Sequence, residues 1–238
     1  MTQIYDILNK IKDRLSAIKL RQYQEYLKIQ ENIKEEDDTA NFLNSKSIQI
    51  FCGVSLKESY NLPIKMFNGV LHQLSKCFDE ETPLIRKFSM TGTNDVTVEF
   101  GFIPDLDNMT FGEYVDLENF MSDWQTMHKA MAVLYRPIKF EKNDKYLIED
   151  YKGDDTYWEV MKDAPVNVAL GAMVFFYRLG KKLSKYTLLY LQQQAQTDSK
   201  GQKTDSETSG DGINQFTHLL EEQYQKLMKS QKFHYTNV

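Results

Sequence analysis

The chain has 238 residues, 41% of them hydrophobic and 26% charged, with a formal net charge of -5. These values exclude a disordered or fibrous chain and leave room for a sizeable core. The acidic balance argues against specific nucleic-acid binding over the general surface, because phosphate contacts want a basic excess.

The first element is expected at residues 1–40, as one amphipathic N-terminal helix. Ile4, Ile7, Ile11, Leu15 and Ile18 recur at three- and four-residue steps, and the stripe continues through Tyr23, Tyr26 and Leu27 until "EEDD" closes it. Such a helix needs a partner face, so Ile4, Ile7, Ile11 and Leu15 are candidates for a subunit interface. A globular core is expected over residues 41–196. "SIQIFCGVS", rich in β-branched and aromatic residues and containing a glycine, predicts a strand near 47–55. "LPIKMFNGVLHQLSKCF" predicts a helix with Pro63 near its start. Two strands follow, near 84–90 and 96–103, and "TGTND" between them has the composition of a hairpin turn.

"MTFGEYVDLENFMSDWQTMHKAMAVLYRPI" carries the most distinctive mixture in the chain. Thr110 and Glu113 have capping-box spacing, and Asp116 is a second possible cap. Phe120, Trp124, Met127, Met131 and Leu134 then step along one face, which predicts a core-facing helix near 116–135. Tyr135, Arg136 and Pro137 would form its end, with Pro137 holding Arg136 extended. Arg136 is placed to pin a carboxylate bidentately. Residues 145–161 read as an aromatic-rich connection. A long helix is expected at 164–195, beginning at Asp163 and Pro165. Its apolar run stops at Arg178 after about 12 residues, short of the ~20 that a membrane span needs. Lys181, Lys182 and Lys185 form a compact basic patch. Gly171 and Gly180 suit close packing. Residues 197–212 are a polar linker with no apolar residue, and residues 213–238 form a tethered amphipathic helix. Phe216, Leu220, Tyr224 and Leu227 on that helix are further interface candidates. The fold class expected is α+β, mainly α-helical, with long helices packed on a small antiparallel sheet.

Motifs for catalysis do not emerge. The two cysteines and four histidines have no metal-ligand or redox spacing, and no phosphate loop or nucleophile elbow occurs. Cys52 and Cys77 read as small buried hydrophobes. "GDD" at 153–155 is the one pattern that would support a metal-dependent nucleic-acid enzyme, through Asp154 and Asp155. That chemistry needs flanking apolar strands and a further carboxylate, and a turn is the simpler account. The expectation is therefore a protein that is not an enzyme and takes no cofactor, metal or small-molecule substrate.

The segments "FGFIPDLDNMTFGEYVDLENFMSDWQTMHKAMAVLYRPI" and "APVNVALGAMVFFYRLGKKL" resemble a protein type of tailed bacteriophages that infect gut Bacteroidetes, the crAss-like phages. The resemblance covers roughly a quarter of the chain and brings no catalytic residues. It implies a virion structural protein at the head–tail junction or tail, made in the host bacterial cytoplasm. Its partners would be copies of itself and other head–tail or tail proteins. A tail-assembly chaperone, absent from the mature particle, is the alternative that the resemblance implies.

Overall fold

The computed structural model describes residues 14–33, 39–92 and 95–197, together with His218, Glu221, Glu222 and Gln225. The chain is α+β and mainly helical. Its helices are α1 (Leu20–Asn32), α2 (Thr39–Cys52), α3 (Leu56–Tyr60), α4 (Ile64–Phe78), α5 (Phe111–Met121), α6 (Met127–Leu134), α7 (Trp158–Met161) and α8 (Val166–Thr197). Four strands, β1 (Lys87–Thr91), β2 (Thr97–Phe102), β3 (Tyr135–Lys142) and β4 (Lys145–Ile148), form one antiparallel sheet in chain order.

The single helix expected over 1–40 is interrupted within the described residues; residues 1–13 and 34–38 lie outside them. Leu15 to Ala17 form a 3-10 turn and α1 begins only at Leu20. Tertiary hydrogen bonds override the helical pattern here. Val166 N–H donates to Ile18 O at 2.8 Å, and Leu20 N–H and Arg21 N–H donate to Ala164 O and Lys162 O at 2.9 and 2.8 Å. The strand expected at 47–55 is a helix instead, α2. Ile48, Phe51 and Cys52 are buried at helical spacing, so packing outweighs the β-preference of the isoleucines. Gly53 (φ +63°) donates its N–H to Gln49 O, which makes it a left-handed helix cap rather than the end of a strand.

Helix α4 follows Pro63 as the sequence predicts, burying Val70, Leu71, Leu74, Cys77 and Phe78. Cys52 and Cys77 are free and buried. The rings of Tyr26, Phe51, Phe78, Tyr23 and Trp124 lie in a chain with centroids 5.2–5.7 Å apart, linking α1, α2, α4 and the turn before α6.

The β1–β2 hairpin lies where the sequence puts it, pairing Lys87 with Gly101 and Thr91 with Thr97. The other half of the sheet was not expected. Instead of one helix over 116–135 there are two, because Asp123 Oδ1 accepts from Gln125 N–H and opens a new turn at Trp124–Thr126. Helix α6 then passes without a loop into β3. Tyr135, Arg136 and Pro137 are the first residues of that strand, opposite Phe102, Gly101 and Phe100. Pro137 therefore does not close a helix; it sits where its missing N–H is tolerated, and its carbonyl accepts from Glu149 N–H. Asn143 and Asp144, both at positive φ, turn β3 into β4, within the stretch read as a connection.

A register shift between Ile138 and Phe140 bends β3. The hairpin consequently folds back on the sheet. Tyr146 lies across Gly101, where a Cβ would fall 2.5 Å from its ring, and its hydroxyl donates to Phe102 O at 2.8 Å. Lys87 of β1 reaches Glu141 of β3 at 2.6 Å.

Helix α8 runs through the middle. Val166, Val168, Ala169, Leu170, Ala172, Met173, Phe176 and Tyr177 are buried, and the helix emerges at Arg178. No helix among the described residues is long and apolar enough to cross a membrane. Gly171 meets the chain before β1 so closely that a Cβ there would lie 2.3 Å from Pro83 O. Gly171→Ala is expected to force these backbones apart and to cost about 1–3 kcal/mol, read as a lower urea midpoint with an unchanged slope.

Candidate functional site

The most highly organised polar cluster in the chain lies where α5, β3 and the segment after β4 meet. It begins with the Thr110 cap. Glu113 N–H donates to Thr110 Oγ1, while Thr110 N–H and its hydroxyl both donate to Glu113 Oε2 at 2.7 and 2.8 Å. This is the capping box that the spacing predicts. The other carboxylate oxygen, Oε1, takes Arg136 Nη1 at 2.7 Å, with side chains only 6% and 8% exposed. Arg136 thus pins a carboxylate, but through a single nitrogen rather than bidentately, and its buried Nε has no hydrogen-bond partner.

The Tyr151 ring covers the guanidinium at 5.7 Å, and its hydroxyl donates to Asp116 Oδ2 at 2.5 Å. Asp116 is therefore a mid-helix acceptor and not a cap. Burial first, then the Asp116 carboxylate, hold the Tyr151 phenol well above its ordinary range. The Tyr157 hydroxyl donates to Glu149 Oε2 at 2.7 Å, and burial with that carboxylate pushes it up to about 12. Arg136, Tyr151, Tyr157, Glu149, Asp150 and Asp154 border a cavity of about 20 Å³, room for one water.

Asp154 stands at this cavity in a turn. Gly153 has φ +68°, Asp154 Oδ1 accepts from Thr156 N–H, and the Thr156 hydrogen bonds hold its carboxyl below the usual range. Glu149 and Asp150 line the same cavity. Glu149 is engaged by Tyr157 and Asp150 by Lys139. Among the described residues no three His, Cys, Asp or Glu side chains come together in a way that could hold a metal ion.

A second buried network lies at the other end of α6. Gln24 Nε2 donates to Trp124 O at 2.7 Å and to Gln125 O at 3.2 Å, and it faces His128 Nδ1 at 3.1 Å. Gln125 Nε2 returns a bond to Gln24 O. Burial, reinforced by Lys162 and Lys129, lowers the His128 pKa to about 4.

The remaining residues singled out by sequence fall as follows. Trp124, Met127, Met131 and Leu134 are buried; Phe120 is half-buried, beneath Lys129 and edge-on to Trp158. Leu15 is 1% exposed within its own chain, so it serves that core and not a subunit contact. Ile4, Ile7, Ile11, Phe216, Leu220, Tyr224 and Leu227 lie outside the described residues. Lys181, Lys182 and Lys185 are exposed on α8, with Lys181 over the Tyr177 ring at 5.0 Å. Sequence reasoning missed Tyr151 and Gln24 altogether and saw Glu113 only as a cap. Each acts across a long separation that no local spacing records.

No protein-family model, no curated protein and no solved structure matches this chain.

What this geometry does chemically is to saturate charged groups with one another inside the fold. Two outcomes follow for stability. Arg136→Met strands the Glu113 carboxylate in a buried site and is expected to cost about 3–5 kcal/mol in urea denaturation. Adding Glu113→Gln, which keeps an oxygen for the Thr110 cap, restores much of that loss. His128 is neutral when folded and has an ordinary value of 6.5 when unfolded. The unfolded chain therefore binds the extra proton between these values. Stability from this site is complete above pH 6.5 and is lost as pH falls towards 4, by on the order of 3 kcal/mol. His128→Gln is expected to flatten that part of a stability-against-pH curve.

Proposed function

We propose that the chain is a non-enzymatic structural subunit of a tailed bacteriophage, a head–tail connector or tail-ring component that assembles with copies of itself. The resemblance of the 100–138 and 164–183 segments to crAss-like phage proteins supplies the context. The observation that carries the reading is the course of α8. Its first half is the centre of the core, and its second half leaves that core with Leu183, Tyr186 and Leu189 substantially exposed, alongside the exposed Lys182 and Lys185. A helix anchored so firmly at one end is a rigid arm, and apolar residues on such an arm favour a neighbouring subunit. The net charge of -5 offers acidic surface on each copy for those lysines to meet. The buried Arg136–Glu113 pair fits the same role, since it fixes a shape and leaves its charges engaged with each other.

The test is quantitative mass spectrometry of purified virions. A copy number equal to the portal's, or a small multiple of it, is expected. Absence from particles together with abundance in infected-cell lysate would sink this reading and leave a tail-assembly chaperone. In parallel, Tyr186→Glu with Leu189→Glu is expected to reduce the oligomer to monomer in light scattering while leaving the melting midpoint unchanged.

A further inference from the structure

Two exposed faces of the chain carry matching residues. On α5, Phe111 is 82% exposed and Tyr114 39%. At about 100° per residue they share one side of the helix with Glu118, while Glu113, Leu117 and Met121 take the inner side. Burial, and then the Glu118 carboxylate, raise the Tyr114 phenol above its ordinary value, so Glu118 adjoins the aromatic pair. Between Lys87 and Lys129 the chain has no Lys or Arg, and Asp105, Asp107 and Asp123, next to α5 in sequence, are exposed. On α8, Lys182, Lys185, Tyr186 and Leu189 fall within about one third of a turn, and all four are exposed. Lys182 Nζ stands over the Tyr186 ring at 6.0 Å. Helix α8 contains Arg178, Lys181, Lys182 and Lys185 and no Asp or Glu. Both faces are open in the same chain, so neither covers the other.

We propose that the α8 face of one copy docks on the α5 face of a second copy, as antiparallel helices, with Lys182 at Glu118, Tyr186 on Tyr114 and Leu189 on Phe111. The proposal rests on the reading that the chain assembles with copies of itself, and it names the surface that receives the arm. Charge complementarity selects that surface. Phe140 and Leu147, opposite each other in the β3–β4 hairpin, have Lys139, Lys142 and Lys145 as near neighbours in sequence, and Tyr60 and Ile64 have Lys57 and Lys65. Those sites would set lysine against lysine, whereas Phe111 and Tyr114 lie in the stretch without cations.

The direction follows from the order of residues. Phe111 to Glu118 and Lys182 to Leu189 are equal spans of about 10 Å at the helical rise. The α5 face runs from aromatic to acidic along the chain, and the α8 face runs from basic to apolar. Antiparallel helices bring acidic against basic and ring against apolar side chain. Parallel helices would set Lys182 on Phe111 and Leu189 on Glu118, with no charge met at either end. Because the two faces differ, the contact is head-to-tail, and each copy keeps one face open for the next.

Mixing two variants tests the contact by light scattering on the full chain. Phe111→Gln with Tyr114→Gln removes the receiving face, and Tyr186→Glu with Leu189→Glu removes the arm. Each variant alone is expected to be monomeric, and an equal mixture is expected to form a dimer with one chain of each kind, which cannot grow further. A Phe111 and Tyr114 variant that assembles like the wild-type chain, as two α8 faces paired with each other would allow, overturns the contact. So does a mixture that stays monomeric across the concentrations at which the wild-type chain assembles. In both cases the assembling wild-type chain leaves the self-assembly reading standing, whereas a wild-type chain that stays monomeric sinks both. A charge exchange decides the register with little risk to folding. Lys182→Glu is expected to weaken assembly by about threefold, and Glu118→Lys in the same chain to restore it. Lack of restoration overturns the register and with it the proposal.

Discussion

One carboxylate holds three donors. Glu113 accepts from the Thr110 amide, the Thr110 hydroxyl and the Arg136 guanidinium, almost wholly out of water. Exchanging both partners for apolar groups of the same shape would cost little, but removing either alone strands the other. The interaction therefore acts as a constraint more than as a source of stability. It fixes the start of α5 against the second residue of β3. Because β3 follows α6 without a loop, it also fixes the rotation of α6 about its own axis. Trp124, Met127, Met131 and Leu134 face inward in that setting.

The helical layer is tied to the same element at its opposite end. Gln24 of α1 donates to the carbonyls of Trp124 and Gln125, in the turn that leads into α6. Tyr23, one residue earlier, meets the Trp124 ring edge-on at 5.2 Å. Adjacent residues of α1 thus supply the polar and the apolar half of one joint. Helix α6 is short, and both its ends are held by side chains from elsewhere. The Met-rich stretch in between can rely on shape alone, which suits an unbranched side chain that fills irregular gaps.

Legibility in the sequence followed the range of the forces involved. Helix α4, the β1–β2 hairpin and the Thr110–Glu113 cap are decided by near neighbours, and all three were readable. Helix α2 was not, because Ile48, Ile50 and Phe51 satisfy both a strand template and a buried helical face, and the arbitrating signal was Gly53. Arginine and proline at 136 and 137 looked like punctuation after a helix. They are strand residues, since Tyr135 is drawn in by burial and by a hydrogen bond from its hydroxyl to Ile85 O, fifty residues away. The polar cluster was half visible. The composition of the Arg136 environment suggested a carboxylate partner, but the identity of that partner depends on how α5 returns to the sheet, which no spacing in one chain encodes.

The contact of Tyr146 with Gly101 has a kinetic consequence. Each hairpin, β1–β2 and β3–β4, closes over a few residues and can form quickly on its own. Their union cannot, because the Tyr146 hydroxyl needs the carbonyl of Phe102, on the far side of α5 and α6 in the chain. The space above Gly101 is a seat that exists only once β2 is in place. For the ring to close the sheet, the helices that separate the two hairpins in the chain must be gathered between them. A side chain at position 101 would leave both hairpins able to form while slowing the step that joins them.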